Sequence, residues 1–433
     1  MKENQICDNS SYFKNDHTSF GKLTYSYVLI FVSALFLFYK YLLQIMPSVI
    51  TDQLMSTYDL TGTGLGFLAG TYFYSYMVMQ IPAGMLLDKY SIRRLTTVAI
   101  GICALGAFLF YSTSNYWMAC LARALIGFGA AFATVSYMKL ASVWFSPKHF
   151  SLLSGFFGTA CMFGAGCAEI LIAWTTQRYG WRQMVLFSAV MGIVLCVSFY
   201  LIIKDKEEKP NQTFYKENNI WNALKLTFSN KYNYPLILYS GLAFIPVAVF
   251  GGLWGVPYLQ QAYHLTKSIS ASSASLVFFG FGIGGPLFGW LSDHFSKRKP
   301  ILIAGTVISL LFLMIVLYVP HLSLFMLRSA IFLFGFFNSV FLISYTLGKE
   351  INSLSITATV IGVINSGDAI CGAVAEPLVG KILDLGWDGK MIGHIRIFST
   401  HDYHVALSVL SIYVFLSIVS AIFIKETKAK QLV

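Results

Sequence analysis

Residues Gly84–Arg94 read GMLLDKYSIRR, and residues Gly289–Lys299, 205 positions further along, read GWLSDHFSKRK. In both copies a glycine is followed four residues later by an aspartate, and then by an aromatic residue, a serine and a basic pair. This phrase is conspicuous because only 11% of the 433 residues are charged. Its repetition suggests a chain built from two related halves.

Three further matches lie at nearly the same offset. They are Arg123 with Arg328, Glu169 with Glu376, and the Gly-Trp pair at 180–181 with the pair at 386–387. One coincidence would carry little weight, but several matches in register predict an internal repeat of about half the chain.

The composition predicts a lipid environment. Hydrophobic residues make up 56% of the chain and aromatic residues 16%, and the mean hydropathy is +0.66. A soluble protein carries roughly a quarter charged residues, more than twice the fraction here. The net charge is +11, but the basic residues bunch in short breaks between apolar runs, so we expect no nucleic-acid partner.

We expect no metal and no cofactor. The seven cysteines are odd in number and none has metal-ligand spacing. The stretch Gly280–Gly285, GFGIGG, fits a dinucleotide-binding pattern but follows no strand and lies inside an apolar run. We interpret it as close packing of small residues in a membrane helix. No nucleophile–base constellation is present, so the chain is not expected to be an enzyme.

Apolar runs of about 20 residues are long enough to cross the hydrocarbon layer as helices. Twelve such runs predict an all-α membrane protein, and we number them as spans 1 to 12. The predicted bounds are 25–49, 63–87, 95–114, 118–143, 150–174, 183–203, 236–259, 268–291, 300–319, 322–347, 356–383 and 403–424. They define an N-terminal arm (1–24), a first six-helix half (25–203), a linker (204–235), a second half (236–424) and a tail (425–433).

The distribution of lysine and arginine predicts the orientation. With the N-terminus in the cytoplasm, the cytoplasmic segments hold 20 of these residues and the opposite segments hold 6. We therefore expect a multi-pass protein with both termini in the cytoplasm, in a bacterial inner membrane.

The chain resembles a major facilitator superfamily transporter over nearly its full length. The repeated phrase is similar to the signature between helices 2 and 3 of that superfamily, and RALIGFGAA from Arg123 to Ala131 is similar to its helix 4 motif. The endings YGWR after span 5 and FIKET after span 12 are also typical. The resemblance implies two pseudo-symmetric six-helix halves around a central pathway, with spans 3, 6, 9 and 12 as outer scaffold.

The resemblance also implies a gating role for the repeated phrase. In its first copy Asp88 would hold the N-terminus of span 11, since carboxylates are attracted to the N–H groups of a helix start. In the second copy Asp293 would do the same, less strictly, against span 5. The candidate gating residues are Gly84, Asp88, Arg93, Arg94, Gly289, Asp293 and Arg298. The alternative is that these charges only enforce the topology.

Ionisable residues at bilayer depth are candidate site residues, because burial without a partner is costly. Seven lie inside the predicted spans: Lys40, Arg123, Lys139, Glu169, Arg328, Asp368 and Glu376. Lys40 lies deepest, and we expect it to face the central cavity and hold an anionic substrate group or a proton. Its span has no acidic residue at that depth, so its partner must come from another helix or from the substrate.

The other charged residues leave alternatives open. Glu169 and Glu376 could carry a proton, or could form structural ion pairs with Arg123 and Arg328. Lys139 lies near the cytoplasmic end of span 4 and could extend its amine towards the surface. Polar and aromatic residues at helical spacing add candidates for the cavity wall. They are Tyr72, Tyr76, Gln80, Trp254, Asn338 and Asn365.

These observations predict a secondary active transporter that works by alternating access, without a cofactor, as a monomer and possibly coupled to protons. Four basic and three acidic groups inside the membrane nearly cancel, which suits a zwitterion such as an amino acid or short peptide. A narrower resemblance, to the phagosomal nutrient (amino acid) transporters of intracellular gammaproteobacteria and to lysosomal dipeptide carriers, points the same way. The alternatives are an organic anion, sugar or siderophore transporter, and a transporter-like nutrient receptor.

Overall fold

The computed structural model describes residues 20–145, 147–205, 220–353 and 356–432. Twelve long helices dominate it and correspond one to one with the predicted spans. In chain order they are Phe20–Val49, Gly62–Lys89, Ile92–Ser112, Tyr116–Trp144, Pro147–Tyr179, Trp181–Ile202, Asn233–Tyr263, Lys267–His294, Lys299–Tyr318, Leu324–Glu350, Thr357–Gly386 and Thr400–Ile422. The fold class predicted from the sequence is confirmed.

Ten of these helices are long and apolar enough to cross a membrane. The other two, spans 2 and 11, are 28 and 30 residues long and carry more polar residues in their middles. This is expected of helices that line a polar pathway, since water there solvates side chains that lipid would not.

Three spans are interrupted. Span 7 contains a π-helical segment, Phe250–Trp254, where the sequence has paired glycines and a following proline. Span 8 changes direction between Ala274 and Leu276. Span 10 contains a short 3₁₀ segment, Ser339–Leu342. Irregular segments of this kind often accompany functional sites in helices.

The two halves pack in the same way. Spans 3, 6, 9 and 12 lie on the outside: 33% of the apolar window of span 6 is buried, against 78% for span 7. Across the interface span 2 packs along span 11, span 5 along span 8, and span 1 against the irregular part of span 7. The inner spans therefore meet around the centre, and the outer spans face lipid.

Shorter elements lie at the two membrane faces. We call the side that carries the interval between the halves the linker face, and the opposite side the distal face. A helix, Ile220–Ser229, lies on the linker face within the predicted linker. On the distal face a helix, Thr51–Tyr58, follows span 1, and a small antiparallel hairpin pairs Met391–Ile392 with Ile395–Arg396.

Glycines permit the tightest contacts. A Cβ atom on Gly280 would lie 2.1 Å from the carbonyl oxygen of Phe332, and one on Gly284 would lie 2.3 Å from that of Phe336. The GFGIGG stretch therefore packs span 8 against span 10, as predicted. Across the halves, a Cβ on Gly66 would lie 2.5 Å from the carbonyl oxygen of Glu376, which shows how closely span 2 approaches span 11.

Candidate functional site

Lys40 lies two thirds of the way along span 1, and only 5% of its surface is exposed. Its ammonium nitrogen lies 3.9 Å from the centre of the Tyr41 ring and 5.1 Å from that of Tyr76. None of the ion pairs among the described residues includes Lys40. Aromatic faces stabilise a desolvated cation by about 2 kcal/mol, less than a carboxylate could supply, so the ammonium retains capacity for an anion.

Asp368 is the corresponding acidic group in the second half. Its carboxylate accepts hydrogen bonds from the hydroxyls of Tyr345 at 2.6 Å and Ser240 at 2.8 Å. Spans 7, 10 and 11 each contribute one of these three residues. The carboxylate pairs with no cation in the described part of the chain, so the two hydroxyls alone solvate it.

Tyrosine and amide side chains join the two charged groups. Tyr345 lies near Tyr41 and Tyr76. Tyr76 in turn lies close to Gln80 and Asn365. The amide oxygen of Gln80 is buried with no donor. We call Lys40, Tyr41, Tyr76, Gln80, Tyr345, Asn365 and Asp368 the central site.

Open space borders this site on span 11. A Cβ atom added to Gly362 or Gly372 would meet no other atom within 4 Å. Gly362 lies three residues before Asn365 and Gly372 seven residues after it, so all three lie on one face of the helix. That face is therefore not filled by packing.

Arg123 lies on the distal side of the central site and stabilises a break in span 1. Pro47 has no N–H group, so the carbonyl of Leu43, four residues earlier, lacks its helical donor. The Arg123 guanidinium donates to that carbonyl at 2.6 Å and to the carbonyl of Gln44 at 3.3 Å. Its centre lies 5.3 Å from the ring of Tyr72. Arg123 is thus bound to backbone groups of its own half.

Glu169 and Glu376 are almost completely enclosed, with 0% and 2% of their surface exposed. Glu169 accepts one long hydrogen bond, 3.4 Å, from Ser48. In each carboxyl group one oxygen has no partner. Neither forms an ion pair within 4 Å in the parts of the chain the structure describes. Arg123 lies close enough to Glu376 to interact with it electrostatically, so the alternative of structural pairing stays a prediction.

Two further predicted residues support the walls. The Tyr72 hydroxyl lies 3.3 Å from the side-chain oxygen of Gln44, and its ring stacks on Tyr76 at 5.8 Å. The indole N–H of Trp254 donates to the carbonyl of Glu376 at 3.2 Å. Trp254 therefore attaches the irregular part of span 7 to span 11.

Two predicted residues, Arg328 and Asn338, bind groups outside the central site, and a third, Lys139, lies near the linker-face end of span 4. Arg328 donates to the hydroxyls of Ser273 and Ser272 on span 8, both at 3.1 Å. Asn338 donates to the carbonyl of Ala243 at 3.0 Å and belongs to the packing within the second half. Lys139 follows Arg123 by 16 residues, about 24 Å along span 4, so these two cannot share a site.

The gating residues on the linker face differ between the two copies of the phrase. The Ser91 hydroxyl caps span 3 by accepting the N–H of Arg94 at 3.1 Å. Asp205, after span 6, accepts the N–H of Arg93 at 3.1 Å and also binds Ser91. The side chain of Asp88 lies outside the described residues, so its expected contact with span 11 stays a prediction.

In the second copy, Asp293 pairs with Arg298 at 2.5 Å. Arg298 also binds Glu350 at 2.7 Å and is buried. Glu350 in turn accepts the hydroxyl of Thr427 at 2.5 Å. This network joins Asp293 to its own half through a guanidinium that binds two carboxylates. The side chains at the linker-face end of span 5 lie outside the described residues, so the contact of Asp293 with span 5 that the family resemblance implied stays a prediction.

A contact that the sequence did not predict closes the distal face. Asp384, at the end of span 11, accepts the N–H groups of Gly62 at 2.7 Å and Thr63 at 2.8 Å, and the Thr63 hydroxyl at 2.6 Å. It thereby caps the start of span 2, in the other half. Lys267 and Gln53 add a second bond between the halves, at 2.8 Å.

Two more bonds between the halves bind carbonyls that prolines leave unpaired. The Tyr74 hydroxyl donates to the carbonyl of Ala373 at 2.9 Å, four residues before Pro377. The Thr159 hydroxyl donates to the carbonyl of Gly282 at 2.9 Å, four residues before Pro286. These bonds lie in the middle of the membrane.

The halves are therefore joined from the membrane centre to the distal face. On the linker face, a Cβ atom added to Gly84 or Gly289 would meet no other atom within 4 Å. The contacts between the halves that involve described residues thus lie between the membrane centre and the distal face.

The sequence profile of the Major Facilitator Superfamily matches residues 27–376. This match covers more than half of the chain, and the protein belongs to that superfamily of membrane transporters. The family predicted from the repeated phrase and the span 4 motif is confirmed.

Among characterised relatives, the chain is 25% identical over 379 residues to a "Probable L-galactonate transporter" of Escherichia coli, covering 80% of this chain and 78% of the relative. It is 24% identical over 290 residues to a "Probable galactarate/D-glucarate transporter GarP" of Escherichia coli, covering 58% and 63%. It is 25% identical over 333 residues to "Protein spinster homolog 1" of Xenopus laevis, covering 69% and 61%.

Solved structures show the same fold. A bacterial homologue of the human lysosomal transporter Spinster, crystallised inward-facing and unoccupied, superposes with a TM-score of 0.76 at 15% identity, covering 92% of this chain and 98% of that one. The nucleoside transporter NupG superposes with a TM-score of 0.70 at 14% identity, covering 92% and 100%. The narrower resemblance to phagosomal nutrient transporters stays a prediction.

Proposed function

We propose that this protein is a secondary active transporter that moves a small organic anion by alternating access, with the substrate carboxylate bound at Lys40. The observation that carries the proposal is the buried Lys40 ammonium, which has two aromatic faces beside it and no anionic partner among the described residues. A lone ammonium at bilayer depth costs a few kcal/mol, and a substrate carboxylate would offset that cost.

The relatives support an anionic substrate. Two carry the names of sugar-acid transporters, and sugar acids are carboxylates. An amino acid or short peptide, the substrate expected from the sequence, also has a carboxylate. Substrates of both classes would place their carboxylate on Lys40. Lys40 therefore recognises the group that the two classes share, and the remaining residues of the central site select between sugar acids and amino acids.

The proposed carboxylate site is built on a lysine and not on an arginine, and this choice sets the geometry of the bound anion. An ammonium is a compact charge with three donors, whereas a guanidinium is a planar fork of different size. Lys40→Ala should weaken binding of a carboxylate substrate by at least about tenfold, and Lys40→Arg should restore it poorly. Binding to the purified protein by calorimetry, beside its melting temperature, checks this. Unchanged affinity in Lys40→Ala would overturn the proposal.

The two enclosed glutamates support proton coupling. A carboxylate without a partner is costly in a dry site, whereas its protonated form is neutral. Glu169 and Glu376 would therefore bind protons while the distal face is closed, and would exchange them when it opens to water. In proteoliposomes, Glu169→Gln and Glu376→Gln should abolish uptake driven by a pH gradient but retain exchange of labelled for unlabelled substrate. Gradient-driven uptake that survives in both variants would contradict coupling through these residues.

The orientation follows from the charges of the loops. We propose that the linker face is cytoplasmic, in a bacterial inner membrane, and that the monomer is the functional unit. Exchange of labelled L-galactonate or of an amino acid in proteoliposomes separates a transporter from a nutrient receptor, because a receptor binds its ligand without exchanging it. Labelling of single cysteines at the exposed Lys89 and His321 positions from each side of the membrane checks the orientation.

A further inference from the structure

We propose that Asp368 binds an ammonium group of the substrate, so that the transported compound is a zwitterionic amino acid or small peptide rather than a sugar acid. The inference rests on the proposed function, since it uses the carboxylate site at Lys40. The two charged groups lie in different halves, Lys40 on span 1 and Asp368 on span 11. A zwitterion placed between them would have its carboxylate towards the first half and its ammonium towards the second.

The three buried carboxyl groups of the inner spans differ in how they are solvated. Asp368 accepts two short hydroxyl hydrogen bonds, whereas Glu169 has one long bond and each glutamate has an oxygen without a partner. Hydroxyl donors stabilise the charged form of a carboxylate. Of the three, Asp368 is therefore the carboxyl group whose charged form is best stabilised by hydrogen bonds, and a carboxylate in this place attracts a cation.

Among the described residues, no cation pairs with Asp368. Arg123 binds carbonyls of span 1, and Arg328 binds serines of span 8. The Lys40 ammonium lies against the rings of Tyr41 and Tyr76. An ammonium group of the substrate would supply the counter-charge that Asp368 lacks in the described part of the chain.

A second observation points to a substrate rich in N–H donors. The buried amide oxygen of Gln80 has no donor, and it lies close to Tyr76 at the edge of the Lys40 cage. An ammonium group has three donors and no acceptor, so it can serve a carboxylate and an amide oxygen together. The tyrosine faces add cation–π attraction for the same group.

Charge balance disfavours a sugar diacid. Lys40 and Asp368 together are neutral, so a zwitterion leaves the dry site without net charge. A dicarboxylate would place its second anionic group near Asp368, and like charges at short range repel strongly where water is excluded. A monocarboxylate sugar acid avoids repulsion but leaves Asp368 without a counter-charge.

The test compares each ligand with an analogue that differs in one group. Alanine, serine, leucine and phenylalanine are each measured against the corresponding α-hydroxy acid, by calorimetry on the intact purified protein. At least one amino acid should bind about 10- to 100-fold more tightly than its hydroxy acid. In Asp368→Asn this preference should fall to within about threefold, while the hydroxy acid keeps its affinity. Lys40→Ala should weaken both ligands.

Two controls keep the result interpretable. Asp388→Asn removes an exposed carboxylate on the distal face that pairs with Lys390, and it should leave the preference unchanged. If Asp368→Asn does not fold, N-acetylation of the amino acid removes the same charge from the ligand side, and affinity for the unaltered protein should fall by a similar factor.

The outcomes separate the inference from the function on which it rests. Equal binding of amino and hydroxy acids, or a preference that survives in Asp368→Asn, would overturn the ammonium site. Binding of L-galactonate that depends on Lys40, with no binding of any amino acid, would overturn it too but leave the anion transporter standing. If no carboxylate compound bound at all, both would fail.

Discussion

The two copies of the repeated phrase begin alike and end in different surroundings. In the first half, the Arg93 guanidinium lies over the Tyr200 ring at 4.1 Å and donates to the Tyr200 carbonyl at 2.6 Å. In the second half, Arg298 is buried and binds both Asp293 and Glu350. The same phrase therefore yields a partly exposed contact in one half and an enclosed ion network in the other.

The difference shows which contacts of the repeated phrase form in both halves and which depend on residues outside the phrase. In both halves an acidic residue after the sixth span, Asp205 or Glu426, accepts N–H groups at the start of the third span of that half. This capping of the third span occurs in both halves. The buried network is not shared, because it requires Glu350 and Thr427, which lie outside the phrase.

The largest expected effect is loss of the buried network. Glu350→Ala leaves the enclosed Arg298 guanidinium with the exposed Asp293 and the Ser292 hydroxyl as described partners, and breaking a buried pair costs about 3–5 kcal/mol. Asp205→Ala, the matched change in the first half, removes a surface contact and should cost less than about 1 kcal/mol. Thermal unfolding in detergent measures both. Equal losses would show that the two copies are energetically alike.

Removal of the paired arginines should give the next largest effect. Arg123→Met leaves the carbonyl of Leu43 unpaired in the protein interior, which costs about 1–3 kcal/mol. Arg328→Met removes hydrogen bonds to two serines at a half-exposed site and should cost less. Adding Pro47→Ala to Arg123→Met restores the missing N–H group, so the double variant should recover part of the stability. Failure of that rescue would contradict the role assigned to Arg123.

The contacts between the halves should have a smaller effect, on conformation rather than on folding. Asp384→Asn weakens a helix cap worth about 0.5–2 kcal/mol that exists only while the distal face is closed. Distances between spin labels at Ser112 and His321, on exposed distal loops of the two halves, should then shift towards longer values. Asp388→Asn is the control and should leave the distances unchanged. A distribution that does not move in Asp384→Asn would exclude a gating role.

The smallest expected effect concerns the cap of span 9. Partial burial disfavours the charged form of Glu426, but N–H groups of Lys428, Arg298, Lys299 and Thr427 outweigh it and lower the pKa of this carboxyl below its usual value. A lowered pKa adds stability that is fully present above the ordinary glutamate value and is lost as the pH falls through the folded-state value. Glu426→Gln should thus reduce the melting temperature slightly at neutral pH, and the difference should disappear once the pH falls below the lowered pKa of Glu426. A difference that persists in acid would contradict this assignment.

The sequence predicted the fold because its signals are local and strong. Twelve apolar runs, positive loops and a repeated phrase each act within about 20 residues, and the helices begin and end within a few residues of the predicted bounds. The π-helical segment of span 7 lies where Gly251, Gly252 and Pro257 disfavour a regular helix. The helix Ile220–Ser229 was missed because it is too short for an apolar run and lies among charged residues.

The site was predicted less completely. The sequence indicates how deep in the membrane a residue lies along its helix, but not which neighbouring helix its side chain faces. Lys40, Tyr76, Asn365 and Asp368 lie in the central site, whereas Asn338 has equal polarity and turns into its own half. Asp384 was missed altogether. Its contact with the start of span 2 joins residues more than 300 positions apart, and nothing near it in the sequence marks it.

The proline-freed carbonyls have a consequence for how the protein is assembled during synthesis. The break at Pro47 is satisfied within the first half, by Arg123, whereas those at Pro286 and Pro377 are satisfied by hydroxyls that the first half donates. An unpaired carbonyl in lipid is costly. The first half leaves the ribosome first and can satisfy its own proline-freed carbonyl through Arg123. The second half needs hydroxyl donors from the first half and therefore folds against it. Expressed as two separate fragments, the first half should accumulate in the membrane alone, and the second only when the first is present.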